Sequence, residues 1–136
     1  MPIGNGTFAY RRHLPHLVKA DKTDFVTFRT IRRRHLEPIA RTAVLAACIE
    51  LHKTVCCLEC ITVMPNRVHA IFSPLNIAVS EVMKRLKGRS ARRANLSVDR
   101  SGPLWQHESF DHILRSDESV QSKMEYICNN PVRAGL

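Results

Sequence analysis

The segment that most constrains the fold is Ile61-Thr62-Val63-Met64-Pro65-Asn66-Arg67-Val68-His69-Ala70-Ile71-Phe72. Apolar and β-branched residues fill both arms, and Pro65-Asn66 supplies a turn. The segment therefore reads as two short strands joined in a hairpin. Side chains alternate along a strand. Arg67 and His69 thus share one face, and Val68, Ala70 and Phe72 share the other, the expected core side. A polar pair within a sheet costs free energy unless it is satisfied, so Arg67 and His69 call for an explanation.

The rest of the chain supplies partners for this hairpin. Residues 1–24 are polar and turn-rich, with Pro2, Gly4, Gly6 and Pro15, and read as a surface segment. Within them, His13-x-x-His16 straddles a proline and carries little metal signal. Asp24 to Arg29 alternates and is β-branched or aromatic, so it is the first predicted strand. Arg32-Arg33-Arg34 follows in a loop; such a run is a solvated face or, beside a DNA-binding sheet, a phosphate contact. Apolar residues recur at three-four spacing from Glu37 to Lys53, which predicts an amphipathic helix with Pro38 in its first turn. Val55 to Val63 is the hairpin's first strand and Arg67 to Phe72 its second, closed by Pro74. Ile77 to Leu96 is a second helix, with Gly88 as a bend or a point of close backbone approach. Leu104-Trp105-Gln106 and Ser109 to Arg115 read as short strands. A last helix runs from an N-cap at Ser116 to Asn130, where Pro131 stops it.

This β-α-β-β-α-β-α order, with hairpin-linked strands, predicts an α+β domain. It has an antiparallel sheet of about five strands with helices packed on one side. One domain is the default for 136 residues. Lys and Arg number 21 against 12 Asp and Glu, a net charge of +9 that favours polyanionic partners. No apolar run spans a bilayer and no signal peptide is evident, so a cytoplasmic location is expected. The five cysteines lack a disulfide-scaffold spacing and are expected to be reduced. Cys57-x-x-Cys60 sits in a predicted strand. Residues three apart there point to opposite faces, so the pair is not expected to converge on zinc.

The hairpin motif Met64-Pro65-Asn66-Arg67-Val68-His69 and the helix end Tyr126-Ile127-Cys128-Asn129-Asn130-Pro131-Val132-Arg133-Ala134-Gly135-Leu136 together resemble the REP-associated tyrosine transposases. These are single-tyrosine enzymes of the HUH endonuclease superfamily, with a ferredoxin-like sheet. The resemblance runs along most of the chain, including Gly102-Pro103-Leu104-Trp105-Gln106. It departs at one position: the first histidine of the HUH pair is Arg67 here.

The resemblance implies nicking and rejoining of hairpin-containing single-stranded DNA through a 5′-phosphotyrosine. Tyr126 would be the nucleophile, and His69 and Asn130 would be ligands for Mg²⁺ or Mn²⁺. It also implies a monomer or a homodimer. A guanidinium stays protonated and offers no lone pair. At about 4 Å and an effective dielectric of 20 it would repel a divalent ion by roughly 8 kcal/mol. Two outcomes follow. Metal-dependent cleavage is impaired and DNA binding survives, or Arg67 itself clamps the phosphate. Lys84, Arg85, Lys87, Arg89, Arg92, Arg93 and Arg133 are candidate DNA contacts. Trp105 and Phe110 are either core residues or stacking planes for unpaired bases. A non-catalytic nucleic-acid module is the alternative. An RNA-recognition sheet has a similar element order, but its Gly-Phe-Gly-Phe signature is missing.

Overall fold

In the computed structural model, residues 8–11, 23–114 and 121–126 are described. His13, His16, the expected helix start at Ser116, Asn130 and Arg133 lie outside them. The elements are β1 (Phe8–Arg11), β2 (Thr23–Arg29), α1 (Pro38–Ile49), β3 (Cys56–Met64), β4 (Arg67–Pro74), α2 (Val79–Ser97) and β5 (Phe110–Leu114). Residues 121–126 are helical and are called α3. The strands form one sheet in the order β1-β3-β4-β2-β5, and every neighbouring pair is antiparallel.

The β3–β4 hairpin is the centre of this sheet. Met64 pairs with Arg67 across the two-residue turn, and Thr62 pairs with His69. On its other side β4 pairs with β2, setting Arg29 opposite Arg67 and Thr27 opposite His69. Val68, Ala70 and Phe72 are fully buried, as the alternation predicted, and join Val26, Phe28, Ile61 and Val63 in the core. Ala40, Val44 and Cys48 of α1 and Val82, Leu86 and Ala94 of α2 cover this face. Both long helices are therefore on one side. α3 meets the other side, where Lys123 lies 5.1 Å from the centre of the Phe25 ring.

Several boundaries differ from the sequence reading. Residues 8–11 form an edge strand that pairs with Cys60 to Val63. Four residues beside glycines carry little periodicity, and the open edge of β3 is what orders them. α1 ends at Ile49, because residues 50–55 turn tightly, with Lys53 left-handed at φ 71°. Leu104 to Gln106 is no strand: it makes one isolated bridge, Trp105 to Thr30. Gly88 neither breaks α2 nor admits a close neighbour, since a Cβ there would meet nothing within 4 Å.

β3 contains a bulge between Leu58 and Cys60. Cys57 pairs with Ser73 and Cys60 with Ile71, two partners that share one face of β4. The two cysteines thus lie on the same face, which corrects the expectation that they point apart. The extra residue, Glu59, resets the alternation. Among the described residues no cluster of three metal-binding side chains occurs, here or elsewhere.

On the helix-covered face, Asp24 is buried next to Asp111. Burial first, then a hydrogen bond and the charge of Asp111, push the Asp24 carboxyl up to about 7.

Candidate functional site

The face of the sheet away from α1 and α2 collects Phe25, Thr27 and Arg29 from β2, Arg67 and His69 from β4, and Phe110 and His112 from β5. His69 is 6% exposed. Its Nδ1 lies 2.8 Å from Thr27 Oγ1, while Nε2 is buried and makes no hydrogen bond. Burial, then the charges of Arg67 and Arg29, push the imidazole down to about 4. At neutral pH it is uncharged. If Nδ1–H donates to Thr27, Nε2 keeps its lone pair; if Thr27 donates, Nε2 carries the proton.

Arg67 is half-buried, and its Nη1 donates to Asn66 Oδ1 at 3.0 Å. Burial and the charge of Arg29 pull its guanidinium below the usual range, while the Tyr126 phenol acts in the opposite direction. Tyr126 is therefore within electrostatic reach of Arg67. The tyrosine is 40% exposed, and Lys123 Nζ lies 5.5 Å from its ring centre. Lys123 thus touches the faces of both Tyr126 and Phe25. Phe25 stacks on His69 at 5.9 Å and meets Phe110 edge-on at 5.8 Å; Phe110 stacks on His112 at 6.3 Å.

The loop after β2 brings more positive charge to this edge. Thr30 N–H donates to Asn66 O at 3.0 Å and Leu36 N–H to Pro65 O at 2.6 Å, so the loop wraps the hairpin turn. Arg32 and Arg33 are exposed and both left-handed, at φ 54° and 55°. Two consecutive non-glycine residues in that region are uncommon.

The described sequence candidates thus divide between the two sides. Arg67 and His69 share the face away from α1 and α2, and Tyr126 is within electrostatic reach of Arg67. The basic residues of α2 belong to the helix-covered side, and acids from outside the 84–93 run reach several of them. Arg93 forms a two-pronged pair with Glu50 at 2.9 Å, Arg89 meets Glu50 at 3.3 Å, and Arg85 meets Glu81 at 3.3 Å. Lys84, Arg85 and Arg89 line a groove of about 330 Å³ with Leu51 and Glu81. Lys87 donates to Gln106 O at 2.7 Å, His107 O at 3.0 Å and Ser109 Oγ at 3.0 Å. An ammonium has three donors, so this arrangement uses them all. Trp105 is core: it is 7% exposed, packs edge-on against Phe28 and donates to Ser90 Oγ at 3.0 Å.

Thr27, Arg29 and Lys123 were not singled out from the sequence. The first two were recoverable from the pairing of residues 24–29 against 67–72, which places Thr27 and Arg29 beside His69 and Arg67. Lys123 had no comparable signal.

Comparison with known proteins fixes the family. A sequence model described as "Transposase IS200 like" matches residues 16–130. The chain belongs to the IS200-like transposases. No curated protein sequence matches this transposase chain. Among solved structures, a REP-associated tyrosine transposase bound to a REP hairpin is similar, with TM-score 0.64 and 23% identity over 93% of this chain and 73% of that one. A putative transposase from Deinococcus radiodurans R1 is similar with TM-score 0.51 and 20% identity, over 95% and 97% of the two chains. At these identities the structural likeness speaks for the fold. No helix among the described residues is long and apolar enough to cross a membrane.

The described residues do not fit the Mg²⁺ or Mn²⁺ that the resemblance implies. In the tautomer whose Nδ1–H donates to Thr27, His69 Nε2 offers one nitrogen, and Arg67 and Arg29 place two fixed positive charges within electrostatic reach of that imidazole. The same field that disfavours a proton on His69 disfavours a divalent ion beside it. An anion suits the place better.

Proposed function

We propose that this IS200-like transposase binds hairpin-bearing single-stranded DNA across the Arg29–Arg67–His69 face, with Tyr126 in the nucleophile's position and metal-dependent nicking impaired by Arg67. The carrying observation is that α3 brings Tyr126 to the face that holds Arg67 and His69, away from α1 and α2. The similar transposase bound to a REP hairpin suggests the same substrate class. A net charge of +9 supports a polyanionic partner. Arg133 and the α2 cations Lys84 and Arg92 are secondary candidates for backbone contacts. A cytoplasmic location and a monomeric or homodimeric state belong to the same reading.

In the ancestral reaction, the tyrosine oxygen attacks phosphorus in line. A P–O bond to the tyrosine forms as the P–O3′ bond breaks. The 3′ oxygen leaves and takes up a proton, and the 5′-phosphotyrosine keeps the bond energy for rejoining. Developing charge on the phosphoryl oxygens needs positive partners. Here those partners are guanidiniums. The pairing of Arg29 with Arg67 favours a second reading as well, in which the two arginines support slow cleavage without metal.

A nicking assay on hairpin-containing single-stranded DNA, with and without Mn²⁺, tests this. The wild type is expected to bind without cutting. Arg67→His is expected to restore Mn²⁺-dependent cutting, which Tyr126→Phe then abolishes. Metal-independent cutting that disappears in Tyr126→Phe selects the second reading. Absence of salt-dependent binding to any oligonucleotide rejects both.

A further inference from the structure

A cavity of about 260 Å³ opens beside Thr27 and Arg29 and is completed by Gln106, Glu108, Ser109 and Phe110. Thr27 is the residue hydrogen-bonded to His69, so the cavity adjoins the site. It is smaller than the roughly 300–1,000 Å³ of pockets for drug-sized ligands. One planar base fits that scale; a dinucleotide does not.

The walls have the chemistry of a nucleotide. Phe110 is 51% exposed, which is unusual for a phenylalanine in a sheet. Its ring already stacks on His112 and meets Phe25 edge-on. Arg29 ends β2 directly opposite Arg67, and the two guanidiniums share one face. The loop that forms the far wall is fixed. Gln106 N–H donates to Arg29 O at 2.8 Å, and its side-chain amide donates to Thr30 O at 3.1 Å. Lys87 grips Gln106, His107 and Ser109 from behind. Ser109 Oγ accepts from Lys87, which leaves its O–H to donate. The Glu108 carboxylate accepts, so together they can read the polar edge of a base. A divalent cation is a poor occupant, because among the described lining residues Glu108 is the one carboxylate and Arg29 is a cation.

We infer that this cavity is a subsite for one unpaired nucleotide, its base laid on Phe110 and its phosphate held between Arg29 and Arg67. This rests on the DNA-binding reading above and adds a position at which a single base is sensed. The three donors of Lys87 hold the cavity wall, so Lys87 is a positioning residue for it.

The test uses the full chain and two labelled single strands of about twelve nucleotides, within the usual range of single-strand site sizes. One carries mixed bases; the other is abasic with the same backbone. Fluorescence anisotropy reads both affinities at one salt concentration. The wild type is expected to bind the base-bearing strand about tenfold more tightly, the scale of one stacked base. Phe110→Ala removes that preference, whereas Phe110→Trp retains it. Arg29→Ala weakens both strands alike and lowers the salt slope by about 0.7. Equal wild-type binding of the two strands overturns the subsite, as does a preference that survives in Phe110→Ala. If the wild type binds neither strand, the DNA-binding reading fails with it. Competition by inorganic phosphate that removes base-bearing and abasic binding equally, with no base preference left to explain, assigns the place to a bare anion and overturns the nucleotide.

Discussion

The two faces of the sheet are built from the same strands and have opposite character. One face is a dry core: Val26, Phe28, Val68, Ala70 and Phe72 are closed over by α1 and α2. The other alternates with it residue by residue and carries Thr27, Arg29, Arg67 and His69. Stability is concentrated on the first and charge on the second. Two arginines set directly across a strand pair oppose folding. A sheet tolerates such a pair when the opposite face holds it together, and an anionic ligand would offset the repulsion.

Mutations should separate the faces. The largest effect is expected from Phe72→Ala, which empties a fully buried site on the core face. A loss of about 3–5 kcal/mol in urea melts is expected. Arg67→Ala, one residue in from the turn on the other face, is expected to change stability by less than about 1 kcal/mol. Comparable losses for the two would break the contrast.

A second comparison runs along pH, with Asp24 on one face and His69 on the other. Asp24 has a folded pKa near 7, above its ordinary 3.8. Its contribution is full below pH 3.8 and is lost as pH rises through about 7. His69 has a folded pKa near 4, below its ordinary 6.5. Its contribution is full above pH 6.5 and is lost as pH falls through about 4. Between those limits the two slopes oppose and partly cancel. Asp24→Asn is expected to be more stable than the wild type at pH 8 and to lose stability steadily from pH 6.5 to pH 4. His69→Gln is expected to gain stability as pH falls from 7 to 4. Urea melts at several pH values check both; a wild-type-like profile in Asp24→Asn would remove that carboxyl from the account. The smallest expected effect is Gly88→Ala, in open space on α2. It should stabilise by about 0.5–1 kcal/mol through helix propensity, with no change in oligonucleotide binding.

Much of this division was legible in the sequence. Alternation in residues 67–72 assigned Arg67 and His69 to one face and Val68, Ala70 and Phe72 to the other, because β4 is central and flanked by strands on both sides. Three-four spacing found both long helices. The shortfalls have physical causes. Residues 8–11 are ordered by the edge of β3, a tertiary effect that leaves no local periodicity. The bulge at Leu58–Cys60 is invisible to a rule of strict alternation, and so Cys57 and Cys60 were assigned to opposite faces. The ion pairs of the α2 cations were not legible, since Glu50 is far off in the chain and is brought to Arg89 and Arg93 by helix packing. Arg29 was visible as a letter, but its meaning depended on the register between β2 and β4.

Glu59 has a consequence that reaches beyond its own position. It acts as a one-residue phase slip in the longest strand. Cys56 and Leu58 before it, and Ile61 and Val63 after it, all point into the same core. Remove that single step, and one half of β3 would turn its greasy side toward the arginines. The chain would then have to choose between its interior and its site.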